Sequence, residues 1–177
     1  MPAEMAEPAL PVAITRGPDA LRFNLRIDPG ATAAASRAFG LKLPEAIGQA
    51  AREDQRRALR LGPDEWVLSA DPAARDAISA GFAALERETP LSLVDISDRE
   101  VALRIEGPQA ATLLSVGCPI NLARIAVGAG ARTVFDGVQV VLFRDAVDGF
   151  TLEVWRSFVP HVTELLEIAN RELAIGL

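Results

Sequence analysis

The segment VDISDREVALRIEGPQAATLLSVGCPINL, residues 94–122, and the segment ARTVFDGVQVVLFRDAVDGFTLEVWRSF, residues 131–158, decide the fold. From Val101 to Ile105 apolar residues alternate with polar ones, which is the period of a half-buried strand. A Gly-Pro turn and a helix follow. In the second segment a hairpin turns at Asp148-Gly149, and Ser157 caps a final helix. This order of strand, helix, hairpin and helix is typical of an α+β fold.

The first half of the chain repeats this order. Apolar residues alternate from Leu21 to Ile27, residues 31–39 are alanine-rich and helical, and a second hairpin turns at residues 62–64. Asp71-Pro72 starts another helix, with aspartate as the N-cap and proline at the first helical position. Each half is therefore interpreted as a β-α-β-β-α unit, with Leu91 to Ile96 as a strand that links the two.

The predicted fold class is α+β, with two pseudo-repeated β-α-β-β-α units packed into one body. Each unit alone would expose a sheet face, and packing the two together buries both faces. The predicted layout is an N-terminal arm over residues 1–18 and a single domain over residues 19–177, with half-repeats at about 19–96 and 97–177. Residues 45–55 are interpreted as a loop.

Composition excludes several classes of protein. The formal net charge is −6, which argues against a general binder of nucleic acid or anionic membranes. The first eleven residues lack the basic start and apolar run of a signal peptide. No segment reaches the roughly 20 consecutive apolar residues that cross a bilayer. We expect a soluble, cytoplasmic protein with neither a nucleic-acid nor a membrane partner.

Few residues could carry nucleophilic or metal chemistry. Cys118 is the only cysteine and His161 the only histidine, which excludes a disulfide within the chain and a multi-cysteine metal site. Ser157 lies four residues before His161 and could pair with it, but the N-cap role explains this serine better. Cys118 lies at a helix end, where packing is favoured over reactivity.

Acid–base and phosphate-binding motifs are equally weak. The sequence Gly128-Ala129-Gly130 is not followed by the Lys-Thr of a phosphate-binding loop. Two pairs of carboxylates flank turns, where aspartate commonly bonds to the backbone, so that acid–base catalysis is the lesser alternative. These pairs are Asp95 with Asp98 and Asp145 with Asp148.

Arginine and tryptophan are better functional candidates, because both are enriched at the binding hot spots of protein interfaces. The alternative for the arginines is a solvated sheet face. Trp66 and Trp155 are interpreted as equivalent positions in the two repeats, which core packing explains as well as binding does. The predicted partner-binding residues are Arg99, Arg104, Arg132, Trp155 and Arg156.

Six motifs in the same order resemble the gamma subunits of heterotetrameric sarcosine oxidases. The resemblance runs from about Leu21 to the C-terminus and excludes residues 45–55. Each motif alone is weak, and their collinear order makes the match specific. The motifs are LGPDEW (residues 61–66), DISDR (95–99), EGP (106–108), GCPINL (117–122), RT (132–133) and EVWRSF (153–158).

That family is itself similar to the folate-binding aminomethyltransferases of glycine cleavage, which implies the α+β fold inferred above. The departures from the transferases bear on function. Where their hairpin typically carries an Asp-Asp pair, this chain has Val138-Gln139, and Trp155 replaces an asparagine. Neither valine nor a neutral amide can shuttle a proton as a carboxylate does. The resemblance therefore implies the fold without catalytic residues.

The resemblance also implies partners. In sarcosine oxidases of this type, the alpha and beta subunits hold FAD, FMN, NAD and tetrahydrofolate, and the delta subunit is associated with zinc. The gamma subunit is expected to bind no cofactor and no metal, and to complete an oxidoreductase complex by contacting alpha and beta, with delta as a further candidate. The alternatives are a subunit of a related complex such as N-methylglutamate dehydrogenase, a stand-alone folate-dependent transferase or folate-binding protein, and a free-standing binding module.

Overall fold

The computed structural model describes residues 9–176. Its strands are β1 (Ala13–Arg16), β2 (Leu21–Ile27), β3 (Ala50–Glu53), β4 (Arg56–Gly62), β5 (Glu65–Ala70), β6 (Leu91–Asp95), β7 (Glu100–Glu106), β8 (Gly130–Phe135), β9 (Val138–Ala146) and β10 (Gly149–Trp155). Its helices are α1 (Thr32–Phe39), α2 (Arg75–Glu86), α3 (Ala110–Ser115) and α4 (Val159–Ala174). Each of these helices is too short or too polar to span a bilayer.

The strands form two antiparallel sheets, with orders β3-β4-β5-β2-β6 and β1-β7-β10-β9-β8. Helices α1 and α2 cover one face of the first sheet, and α3 and α4 cover one face of the second. Alternation along the strands produces this layering. On β2, Leu21, Phe23 and Leu25 are buried against the helices, whereas Arg22 and Asn24 point to the opposite face. The helix-free faces of the two sheets meet, as expected for a paired arrangement.

The two halves repeat each other down to single hydrogen bonds. The Arg60 guanidinium lies 4.7 Å from the centre of the Trp66 ring, and the Arg144 guanidinium lies 5.6 Å from the centre of the Phe150 ring. Each arginine also donates to backbone carbonyls of the neighbouring loops. The hairpins predicted at residues 62–64 and 148–149 are therefore confirmed and share one construction.

The predicted equivalence of the two tryptophans is wrong. Trp66 is fully buried, and its Nε1 donates to the Pro44 carbonyl at 2.9 Å. The strand registers place Phe150, not Trp155, at the position of Trp66. Trp155 ends β10 and corresponds to Asp71, since each immediately precedes the turn into the second helix of its half. A shared residue type on the same strand does not fix the register.

Three strands were not expected from the sequence. The arm predicted over residues 1–18 is wrong for Ala13–Arg16, because β1 pairs with β7; residues 1–8 lie outside the described part of the chain. The loop predicted over residues 45–55 contains β3. β8 lies at the start of the second quoted segment, before the hairpin at residues 148–149. All three are edge strands of four to six residues, and edge strands carry weaker alternation because they are partly exposed on both faces.

These strands complete the symmetry. Each half is β-α-β-β-β-α, and each sheet gains one more edge strand beside β2 or β7. The first sheet gains β6 and the second gains β1, so the chain segment before the first half belongs to the second sheet. The predicted cap at Asp71 is confirmed, because its side chain accepts from the Ala73 N–H at 2.8 Å. The cap at Ser157 is wrong: Ser157 lies inside a 3-10 turn, and α4 begins after Phe158 without a side-chain cap.

Candidate functional site

Charged residues fill much of the layer between the two sheets. Arg22 on β2 pairs with Glu153 on β10, with 2.7 Å between Nε and Oε2 and with side chains that are 6% and 13% exposed. Arg57 on β4 pairs with Asp145 on β9 at 2.7 Å. Both ion pairs cross from one sheet to the other. The interface is therefore held by paired charges as well as by apolar contact.

Glu65 is the centre of a third crossing cluster. Its carboxylate accepts from Arg132 Nη1 at 3.1 Å, from Asn24 Nδ2 at 2.7 Å and from Arg26 Nη1 at 3.5 Å. The Arg132 hydrogen bond lowers the pKa of Glu65, and partial burial opposes this shift. The carboxylate is therefore held in its charged form.

The space beside this cluster is small. The crevice between the sheets that Asn24, Arg132 and Trp155 help to line has a volume of about 30 Å3. That is room for about one water, whereas pockets for drug-sized ligands measure roughly 300–1,000 Å3. Gln139 lines the crevice, while Val138 is buried in the core of the second sheet. Positions 138 and 139 thus carry an apolar and a neutral polar side chain.

Glu153 is a buried carboxylate that sequence reasoning did not single out as a functional candidate. Burial raises the pKa of Glu153, and the Arg22 guanidinium opposes that shift. A perturbed carboxylate in a cleft is a candidate acid or base. Here Arg22 Nε donates a hydrogen bond to Glu153 Oε2. We therefore interpret Glu153 as the acidic partner in an ion pair that clamps the two sheets together.

The other candidates for catalysis do not converge. His161 lies 3.0 Å from an Asp136 oxygen, and both side chains are about half exposed. Burial raises the pKa of the Cys118 thiol to about 11, which keeps it protonated at neutral pH. In residues 9–176, no three His, Cys, Asp or Glu side chains are grouped as metal ligands would be.

The paired aspartates are engaged in local structure. The Asp95 carboxylate accepts from the Ser97 N–H and hydroxyl and pairs with Arg75. The Asp145 carboxylate accepts from the Thr151 hydroxyl at 2.6 Å and pairs with Arg57. These contacts occupy both carboxylates with partners from this chain.

Three of the five predicted partner-binding residues lie together. The Arg99 guanidinium lies 5.2 Å from the centre of the Trp155 ring, and Arg156 Nε donates to the Asp98 carbonyl at 2.8 Å. The Arg156 N–H donates to the Arg99 carbonyl at 2.7 Å. These bonds join the turn between β6 and β7 to the end of β10.

Phe158 belongs to the same patch and was missed from the sequence. Its ring centre lies 6.3 Å from that of Trp155, and the two residues are 41% and 36% exposed. The spacing of three residues in the WRSF motif was the available signal, since it places both rings on one side of a helical turn. We call Arg99, Trp155, Arg156 and Phe158 the Trp155 surface.

The other two predicted residues lie elsewhere. Arg132 is bound to Glu65 in the layer between the sheets. Arg104 is exposed on β7, four residues beyond Glu100, and lines a separate cleft of about 350 Å3. The structure therefore divides the predicted set into a surface patch, a structural ion pair and a cleft residue.

Comparison with known proteins gives the family. The sarcosine oxidase, gamma subunit family matches residues 24–172. The sarcosine oxidase subunit gamma of Corynebacterium sp. (strain U-96) is 33% identical over 160 residues, which cover 86% of this chain and 76% of that protein. A chain of the solved heterotetrameric sarcosine oxidase from Corynebacterium sp. U-96, in complex with pyrrole 2-carboxylate, superposes with a TM-score of 0.84 at 30% identity, covering 96% of this chain and 89% of that one.

A more distant structure shares the fold alone. The glycine cleavage system aminomethyltransferase T from Bartonella henselae superposes with a TM-score of 0.68 at 16% identity, covering 93% of this chain and 50% of that one. The α+β fold class and the likeness to the aminomethyltransferases are therefore confirmed. With a family match over residues 24–172 and a relative at 33% identity, this chain belongs to the sarcosine oxidase gamma-subunit family.

Proposed function

We propose that this chain is the gamma subunit of a heterotetrameric sarcosine oxidase and acts by binding its neighbouring subunits, without a catalytic role of its own. Family membership supports the first part. The observation that carries the second is the layer between the sheets, where Glu65 and Glu153 are each held by an arginine and the adjacent crevice measures about 30 Å3. Such a layer supports a stable scaffold, and the crevice that Asn24 and Arg132 line offers no room for a one-carbon carrier.

The expected partners are the alpha and beta subunits, and delta is a further candidate. FAD, FMN, NAD, tetrahydrofolate and zinc would be held by those subunits and not by this chain. The oxidation of the amine would also take place there. We expect the whole complex in the cytoplasm.

The Trp155 surface is the proposed contact with a large subunit. Trp155 and Phe158 are 36% and 41% exposed, the Arg99 guanidinium lies against the Trp155 ring, and Arg156 adjoins Trp155 in the chain. Aromatic and arginine side chains dominate binding energy at protein interfaces, because the rings bury large areas and the guanidinium forms paired hydrogen bonds. The hydrogen bonds from Arg156 hold the backbone of this patch in place before binding.

Omission of the chain tests the assembly role. The other subunits are expressed with and without it, and the yield of the complex and its specific activity are measured. We expect the yield of complex to fall when the chain is omitted. Full yield with unchanged specific activity would contradict the proposal.

Calorimetry separates this function from that of a folate-dependent transferase. We expect the purified chain to show no saturable heat of binding with tetrahydrofolate, because the crevice in the position of the transferases' acidic pair is too small. Saturable binding with a stoichiometry of one would favour the transferase instead.

A further inference from the structure

The two halves differ at one pair of equivalent positions on the inner face of the sheets. In the strand registers, Glu65 on β5 lies opposite Arg26 on β2, and Gly149 on β10 lies opposite Glu106 on β7. Glu65 and Gly149 are therefore equivalent positions. One half has a carboxylate where the other has no side chain at all.

The residues around these two positions also correspond. Arg132 pairs with Val141 on β9 as Arg52 pairs with Arg57 on β4. Asn24 on β2 corresponds in the same way to Arg104 on β7. Asn24 of the first half and Arg132 of the second both donate to Glu65. The corresponding residues for Gly149 are Arg104 of its own half and Arg52 of the other half, and Gly149 has no side chain to accept from them.

A cleft lies on one side and a much smaller crevice on the other. The cleft lined by Arg52 and Arg104 measures about 350 Å3, against about 30 Å3 for the crevice beside Glu65. Two carboxylates on the cleft wall, Glu153 and Asp145, are already bound to other arginines. Within residues 9–176, neither Arg52 nor Arg104 has a carboxylate within 4 Å, and both are exposed.

We propose that this cleft binds a carboxylate from outside the chain, which Arg52 and Arg104 hold where Glu65 lies in the other half. Guanidinium groups pair well with carboxylates, since their planar fork offers parallel N–H donors. Exposed carboxylates of Asp54 and Glu106 also line the cleft. They oppose the binding of an anion. We expect a molecule with two carboxylates to bind better than one with a single carboxylate, because each carboxylate can pair with its own arginine. The source is either a small dicarboxylic acid or, if the proposed function holds, an acidic side chain of a partner subunit.

Succinate tests the first source on the purified chain. The dissociation constant is measured by calorimetry at constant ionic strength, with neutral succinamide as the control ligand. We expect saturable binding of succinate only, weakened by about tenfold or more in Arg52→Gln and in Arg104→Gln, because each loses a charge-assisted hydrogen bond. The exposed Arg37→Gln on α1 is the matched control and should bind as the unmodified chain does.

A second variant fills the site from within. Ala146→Gly combined with Gly149→Glu copies the Gly62 and Glu65 pair of the first half, and the glycine makes room, since a Cβ at position 149 would lie 3.2 Å from the Ala146 Cβ. This variant is expected to abolish succinate binding. Because Glu106 lies opposite position 149 and repels a carboxylate there, thermal unfolding is measured as a check that the variant is folded.

Co-purification tests the second source. If succinate does not bind but Arg52→Gln/Arg104→Gln lowers recovery of the partner subunits while Arg37→Gln does not, the carboxylate belongs to a partner. If the Arg52 and Arg104 variants change neither succinate binding nor recovery, the inference is overturned. The proposed function is tested separately, by omitting the whole chain. It fails if the complex then forms in full yield with unchanged specific activity.

Discussion

At the scale of single residues, the sequence indicated residue types but not their partners. Arg99 and Trp155 were identified because arginine and tryptophan favour interfaces, and they do lie in one exposed patch. Arg132 was predicted for the same reason, since it is also an arginine. It is instead bound to Glu65, a residue 67 positions away. A contact between two sheets leaves no local pattern, so sequence reasoning could not separate these two roles.

Glu65 leads to a prediction about pH. Its pKa in the folded chain lies below the ordinary value of 4.5, since Arg132 stabilises the charged form. The stabilisation is therefore complete above that ordinary value and is lost as the pH falls through the lower folded-state pKa. We expect Glu65→Gln to lower the free energy of unfolding by about 1 kcal/mol at pH 7. That difference should shrink at pH values below 4.5.

Urea unfolding at a series of pH values measures this difference. The exposed Glu164→Gln on α4 serves as the control and should match the unmodified chain throughout. A Glu65→Gln effect that is constant down to pH 3 would show that the Arg132 pair does not set the stability.

At the scale of elements, alternation identified the strands with one buried face and missed the edges. All four helix-facing residues of β2 are buried at a period of two, and this strand is predicted from the sequence. β1 has no fully buried residue, and it was assigned to an arm. The information for β1 lies in β7, to which it pairs along its whole length.

Val12 tests whether this edge is part of the fold. Val12 precedes β1 and is 2% exposed in the core of the second sheet. We expect Val12→Ala to lower the free energy of unfolding by about 2 kcal/mol, because it leaves a cavity against α4. Thr15→Ala, at an exposed position of the same strand, should change it by less than about 0.5 kcal/mol. Equal effects of the two substitutions in urea unfolding would indicate a loose arm.

At the scale of the whole molecule, the duplication was visible in the sequence, while the charged character of the contact between the halves was not. The two sheets meet through Arg22 and Glu153 among others, although charged residues on an alternating strand usually face solvent. We propose that the halves form one unit that cannot be divided. Substitutions in the ion pair that joins the halves, Arg22 with Glu153, should then change stability as substitutions in a buried ion pair do.

A double-mutant cycle measures that clamp. Arg22→Leu should lower the free energy of unfolding by about 3–5 kcal/mol, because it leaves the Glu153 carboxylate buried without a partner. Arg22→Leu combined with Glu153→Leu should lower it by less than Arg22→Leu alone. Additive losses in chemical denaturation would mean that the two side chains do not interact.

The Trp155 surface offers the most direct test of the account, which holds that this chain acts by docking. The tagged chain is co-expressed with the other subunits of its complex, and the amount of each subunit recovered per tagged chain is measured by quantitative mass spectrometry. We expect Trp155→Ala/Phe158→Ala to reduce recovery of a large subunit by about tenfold or more while urea unfolding remains close to that of the unmodified chain. Val116→Ala, an exposed apolar position at the end of α3, should recover the full amount. Full recovery of every subunit with the double variant would contradict the account.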